Sequence, residues 1–595
     1  MNTTSRRKWF HNSSGKFWIE LALFGAFALW MLGTALVGTV KQYSEMPYWD
    51  VWDSALGFYL RFSEGDWSSL WAQHNEHRIV IGKLLFWLDL KIFGGVGVSL
   101  LSWTYLAIIG MAVLFCRLLK KINNDSTVLY GQTALSLFVV AWLFQFSNNE
   151  NLINWFQTCL ILSQLLPLAA FYLFHLFLDS PISIKYYSGA VVLAILAGIN
   201  LASGLAVLPL LFVAFVLFWR QINLSYTRKC VLAAGLLLAA IAFISLYFNG
   251  WIYTSNSSLL SNLARQDGFI YRYLLYYFGT LFFYVGIGFG FTHQSAQSIA
   301  LVSGLIFVTG SVILMAGFAI QVVRGKSFFL SSQSTELVLF LFLVFAWMSA
   351  LASGGVRYNE LEGLNMAFTS RYVFFVICAW SCVLVWLSPL IVGLFARHFI
   401  LTMVALALFA IIFIPYQQIA LNGRSKFLIY RDVAGLALEL GIKDGLIIKS
   451  VYPRPENIYP IAESVVERNL SAFGRYPWKD LRQQFDQTRS MTSDVKCGFE
   501  VEQYTVIDEE KSYLRVQGWM VDSVSRTVPE RIWFMDRNHH AIGVALTGEQ
   551  RKDLAELLGS YAEAAGFLGY IKADVNQLEY AIGESHGTPV CMVNK

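Results

Sequence analysis

Runs of roughly 18 to 25 apolar residues, the length a helix needs to cross a bilayer, recur along this chain up to about residue 415. They fall at 17–40, 97–119, 127–146, 156–178, 186–201, 204–219, 230–248, 269–291, 297–323, 335–352, 370–395 and 398–415. The pattern predicts on the order of twelve spanning segments. After residue 416 the periodicity changes. Residues 416–445 read as an amphipathic helix leaving the membrane. Residues 446–497 are irregular, with Pro453, Pro455, Pro460 and Pro477 as punctuation. From 498 onward short alternating runs such as Tyr513–Trp519 and Arg531–Met535 predict a small β-sandwich, with one helix near 549–564. The expected fold is mainly α: a polytopic transmembrane helical bundle over 1–415, a helical and irregular linker over 416–497, and a β-rich extramembrane domain over 498–595.

Composition agrees. Of 595 residues, 56% are hydrophobic and only 14% charged, with a mean hydropathy of +0.52, which places the chain among integral membrane proteins. The first apolar run lacks a small-residue cleavage site and reads as an uncleaved helix. No basic tract interleaved with stacking aromatics points to nucleic acid. Arg6, Arg7, Lys8 and Lys16 set the N-terminus in the cytoplasm, so residues 41–96 form the first external loop. Beyond residue 249 strict alternation and the basic-residue rule disagree. The Tyr-rich run Tyr271–Phe291 is the candidate for a re-entrant or interfacial segment. The charge rule then makes the loop 353–369 and the whole tail external.

The first external loop is the densest in chemistry. Asp50 and Asp53 are three apart, so a helix would present both carboxylates on one face. His74, Asn75, Glu76, His77 and Arg78 follow, and Tyr48, Trp49, Trp52, Phe58, Trp67 and Trp71 surround them as rings suited to a membrane–water boundary. A solvated interfacial loop, with an Asp as a helix cap, is the bland alternative. His74 and His77 form HxxH without the paired ligands of a zinc site, so hydrogen bonding to substrate or to the Asp pair is preferred to metal. Asn149 and Glu150 belong to a polar loop that either lines the same cavity or is a plain loop tip. Arg371 and Tyr372 open a span, and Arg357 precedes it; topology-setting or snorkelling is the ordinary role for such arginines.

One span, a large external loop carrying carboxylates, then many spans: this layout resembles the GT-C superfamily of membrane glycosyltransferases. More locally, PYWDVWD (47–53), QHNEHRIV (73–80), GGVRYNELEGL (354–364) and TSRYVFF (369–375) resemble patterns in bacterial envelope members that glycosylate O-antigen or related polymers. The resemblance implies an undecaprenyl-phosphate-linked sugar as donor, glucose as the commonest sugar, and a lipid-linked or polymeric glycan as acceptor. It also implies an acidic catalytic base in the first external loop, at the periplasmic face of the inner membrane, and no cofactor. Asp50 is then the first choice for the base, Asp53 the second and Glu76 the reserve. Arg78, Arg357 and Arg371 become candidate clamps for the donor phosphate, whose growing charge a planar guanidinium fork suits. His74, Asn75, His77, Asn149, Glu150 and Tyr372 become candidate substrate contacts.

Two rivals remain. A lipid-linked sugar flippase would show midplane charges and paired halves, and an O-antigen ligase or polymerase would carry its arginines in a large late loop. Of seven cysteines, five lie in apolar segments. Cys497 and Cys591 are the pair in the polar tail, where an oxidising compartment would permit a disulfide and a cytoplasmic one would keep both thiols reduced.

Overall fold

The computed structural model describes residues 3–123, 129–179, 184–254, 258–265, 267–324, 333–356, 363–422, 426–485, 495–574 and 578–594. The chain divides into two compact units: 1–41, 71–82 and 100–422 form the first, and 42–70, 83–99 and 423–595 the second.

The first unit is helical. Among the described residues six helices are long and apolar enough to cross a membrane: Gly15–Gln42, Val98–Ile122, Trp155–Asp179, Tyr226–Phe248, His293–Arg324 and Ser334–Val356. Two further pairs, Ser370–Trp386 with Ser388–Arg397 and Phe399–Ile411 with Ile414–Leu421, bend by 55° and 44°, giving up to eight spans if each pair is one. The chain is a multi-pass membrane protein. In each pair a proline (Pro389, Pro415) opens the second helix; lacking an N–H and fixing φ, it starts a helix well and interrupts one badly. The expectation of about twelve spans counted apolar runs that fold as shorter helices, Ile184–Asn200 and Ala202–Leu217. It also counted the helix Phe269–Gly288, which is not among the six.

Small residues set the close packing. A Cβ on Gly279 would lie 1.9 Å from the Ala300 carbonyl oxygen, and one on Gly304 would lie 1.8 Å from that of Leu275. The helices Phe269–Gly288 and His293–Arg324 therefore meet backbone to backbone, as membrane helices do where side chains are absent. Polar glue holds the first helix: Gln417 Nε2 donates to Thr34 Oγ1 (2.7 Å) and Met31 O (3.1 Å), while its Oε1 accepts from Phe146 N (2.5 Å).

The second unit does not follow the expected division into loop, linker and accessory module. Met46, Trp52, Leu56, Leu60 and Leu90 from the first loop share one core with residues of 429–481 and of the C-terminal sheet. The stretch expected to leave the membrane as one amphipathic helix is two, Ile414–Leu421 and Lys426–Leu440, and the irregular region contains the helix Tyr459–Glu467.

The sheet is single, not a sandwich. Its strands are β1 (Cys497–Ile507), β2 (Glu510–Asp522), β3 (Arg531–Met535), β4 (Ala541–Glu549), β5 (Gly566–Lys572), β6 (Tyr580–Ser585) and β7 (Thr588–Asn594). They run antiparallel in the order β1-β2-β5-β4-β3-β6-β7. The expected helix near 549–564 is Lys552–Leu558 followed by a tight turn. Alternation along β3 explains why one sheet suffices. Ile532 and Phe534 face a core with Val516, Phe567 and Ile571, inside the curl of the sheet. Trp533 and Met535 face the helical layer with Ile429, Val433 and Val465. Both faces are thus covered without a second sheet. Met592 N donates to Val495 O (2.9 Å), so the two ends of the sheet meet. There Cys497 and Cys591 form a disulfide, with Cα atoms 5.3 Å apart. Arg515 pins the helical layer to the sheet through two bonds to Asp444 (2.9 and 2.8 Å).

Candidate functional site

In the second unit the chain turns sharply after the first helix. Trp49 takes a left-handed backbone (φ 52°) and donates its N–H to Val451 O (2.8 Å), which interrupts helix formation there. Asp50 therefore stands in the turn before the helix, its carbonyl accepting from Ser54 N (2.9 Å). Asp53 lies inside the widened helical turn Trp52–Gly57. The regular helix expected to align the two carboxylates is absent at this point. Widened turns of this kind cluster at functional sites.

Both aspartates are half-buried, and Tyr452 Oη donates to Asp53 Oδ2. Burial, then that hydrogen bond and the negative charges of Asp53 and Asp50, push the Tyr452 phenol well above its ordinary value. The tyrosine therefore stays protonated and can only donate to Asp53. Beneath, Trp52 is fully buried and fixed by Nε1 donating to Pro47 O (3.1 Å). Beside it the guanidinium of Arg431 lies 3.7 Å from the centre of the Tyr48 ring, a cation–π contact.

In the first unit, His74 and His77 do not occupy successive helical turns. They pair backbone to backbone (2.8 and 2.9 Å) across a tight turn with Asn75 at φ 47° and Glu76 between them. Gln73 anchors this turn by exchanging hydrogen bonds with the backbone of Ile252 (2.7 and 2.9 Å).

Arg78 is only 4% exposed, and each of its three guanidinium nitrogens donates to a backbone carbonyl. Nε donates to Tyr247 O (2.8 Å), Nη2 to Asn249 O (2.7 Å) and Nη1 to Trp71 O, between the rings of Trp71 and Tyr247. Arg78 ties the 71–82 segment to the end of the helix Tyr226–Phe248 with three of its five N–H groups. Arg357 lies outside the described residues.

The polar segment 145–157 and the segment 369–372 do come together. Ser370 Oγ donates to Glu150 Oε2, Gln157 Nε2 to Glu150 Oε1 (3.3 Å), and Asn151 Nδ2 to Arg371 O (3.2 Å). Arg371 is half-buried, and its Nε is shielded from solvent with no hydrogen-bond partner. Asn149, half-buried, starts the short helix Asn149–Ile153. Tyr372 is buried; its hydroxyl accepts from Ser353 Oγ (2.9 Å), and its ring lies 5.3 Å from that of Tyr277. Among the described residues no group of three or more His, Cys, Asp or Glu side chains is arranged to hold a metal.

Sequence reasoning missed Tyr452, Gln157 and Ser370. Tyr452 lies 399 positions from Asp53, and no local signal links them.

Fold and site together define a multi-pass membrane protein carrying a carboxylate pair in its first loop and a C-terminal antiparallel β domain. No protein-family model matches the chain, and no curated protein matches it. Among solved structures it is similar to the Archaeoglobus fulgidus oligosaccharyltransferase, crystallised in complex with zinc and sulfate. The TM-score is 0.38 and the identity 12%, over 72% of this chain and 58% of that one. The chain thus spans less than two thirds of that protein's length.

Proposed function

We propose that this protein is an inverting membrane glycosyltransferase of the GT-C type. It moves a sugar, with glucose as the first choice, from a polyprenyl-phosphate donor to an envelope glycan on the external face of a bacterial inner membrane. The observation that carries the reading is the pair of half-buried carboxylates directly after the first membrane helix, one of them anchored by a tyrosine hydroxyl. Tyr452 orients Asp53, and Asp50 is the first choice of base. Asp50 takes the proton of the acceptor hydroxyl as that oxygen bonds the anomeric carbon. The bond from that carbon to the phosphate oxygen breaks, and its electron pair stays with the lipid phosphate.

The test is transfer of radiolabelled sugar from a panel of undecaprenyl-phosphate hexoses to envelope glycan in membranes. Asp50→Asn is expected to lower the rate by about 10² to 10⁴ with expression unchanged. Transfer within a few-fold of wild type would move the base to Asp53 or Glu76. No transfer by the wild type from any donor would sink the reading.

A further inference from the structure

The segment 145–157 holds more hydrogen-bonding capacity than the protein uses. Asn148 and Asn151 are fully buried and Gln157 is 3% exposed. They form one connected patch: Asn151 Nδ2 donates to Asn148 Oδ1 (2.7 Å) and to Arg371 O (3.2 Å), and Gln157 Nε2 donates to Glu150, which also accepts from Ser370. Yet Asn148 Nδ2, Asn151 Oδ1, Gln157 Oε1 and Arg371 Nε are all shielded from solvent without a partner. Native proteins leave few such groups, because each carries its full desolvation cost. Four among residues that bond one another call for a ligand.

The chemistry of that ligand follows from the mixture. Two of the four groups donate and two accept. A fully ionised phosphate group, such as a phosphodiester, only accepts, so it would satisfy Asn148 Nδ2 and Arg371 Nε and leave both amide oxygens unmet. An acyl chain would satisfy none. Hydroxyls both donate and accept, and side-chain amides bridge neighbouring hydroxyls by giving from nitrogen and receiving at oxygen. The one basic group in the patch, Arg371, adds a place for an anion beside them. Asn149, Glu150 and Arg371, all half-buried, form its more open rim.

We propose that Asn148, Asn151 and Gln157, with Arg371, bind the hydroxyls of a hexopyranose that carries a phosphate at its anomeric carbon. This deepens the glycosyl-transfer reading, on which it rests, by assigning the donor sugar its subsite.

The test uses the full-length protein in nanodiscs and calorimetric titration with farnesyl phosphate and with farnesyl-phosphate-linked glucose, galactose, mannose and N-acetylglucosamine. At least one sugar-bearing ligand is expected to bind about tenfold or more tighter than bare farnesyl phosphate. Asn151→Leu and the uncharged, similar-sized Gln157→Met, each checked for an unchanged melting temperature, are expected to lose that increment and keep the affinity for farnesyl phosphate within about twofold. Arg371→Ala is expected to weaken both ligands. An increment that survives in a folded variant, or a wild type that prefers none of the sugars, would overturn the proposal and leave the patch as a site for ordered water. The two readings fail separately. Sugar binding that depends on the amides without any transfer to glycan sinks the enzyme reading alone; transfer that proceeds with the increment untouched by the variants sinks the subsite alone.

Discussion

Removing the Cys497–Cys591 bond should loosen the whole C-terminal sheet. The two residues are 94 positions apart and sit in β1 and β7, the outermost strands, so the closed loop contains every strand of the domain. For a loop of that length the chain-entropy relation gives about 4 to 5 kcal/mol at 25 °C, the upper end of the usual range. In a body of this size 1 kcal/mol moves the melting temperature by roughly 2 to 4 °C, so a drop of roughly 8 to 20 °C is expected. The assay is thermal unfolding of the full chain in nanodiscs, read by resistance of the β domain to protease. Wild type, the double variant Cys497→Ser/Cys591→Ser and reduced wild type are compared. A shift below about 2 °C in both perturbed forms would refute the entropic argument. Free thiols at both positions in unreduced membranes would refute the bond itself. Because a cytoplasmic thiol pair stays reduced, the bond also reports the side of the tail. Labelling of a reduced sample by a membrane-impermeant reagent in intact spheroplasts is expected, and protection there would reverse the external assignment.

Arg78→Met removes the donor from three backbone carbonyls and should destabilise the first unit by on the order of 3 kcal/mol. Arg78→Lys should recover only part, having no fork to span them. A variant that melts like wild type yet loses donor affinity would place Arg78 at the phosphate. Tyr452→Phe leaves Asp53 without its donor and should lower kcat about tenfold or more while KM for the donor changes little; an unchanged kcat would remove Tyr452 from the site. Glu439 is 2% exposed, and burial raises its carboxyl from 4.5 to about 7. Between those values the folded chain holds a proton that the unfolded chain releases, so stability should fall as pH rises from about 4.5 to about 7, by at most ~1.4 kcal/mol per pH unit. Denaturant titration of Glu439→Gln should show that slope removed, and an identical slope in wild type and variant would dismiss Glu439 as its source.

The membrane character of this chain and its change to β structure were legible because both are local sums. A run of apolar residues spans a bilayer whatever surrounds it, and the period-two pattern in Tyr513–Trp519 and the short apolar run Ile532–Met535 mark strands whatever sheet they join. Span length was less legible, since an apolar run reads the same when a proline at 389 or 415 begins a second helix. Partner choice was not legible at all. Arg78 among aromatic residues looks the same whether its fork grips a phosphate or the carbonyls of Tyr247 and Asn249, 169 and 171 positions away. Asp53 carries no mark of Tyr452. The unbroken apolar run of β3 demands cover on both faces, but only the fold reveals that helices and the sheet's own curl supply it. Hydrophobicity acts through area and needs no particular partner. A hydrogen bond needs one specific group within about 3 Å and in line, and tertiary structure alone decides which group that is.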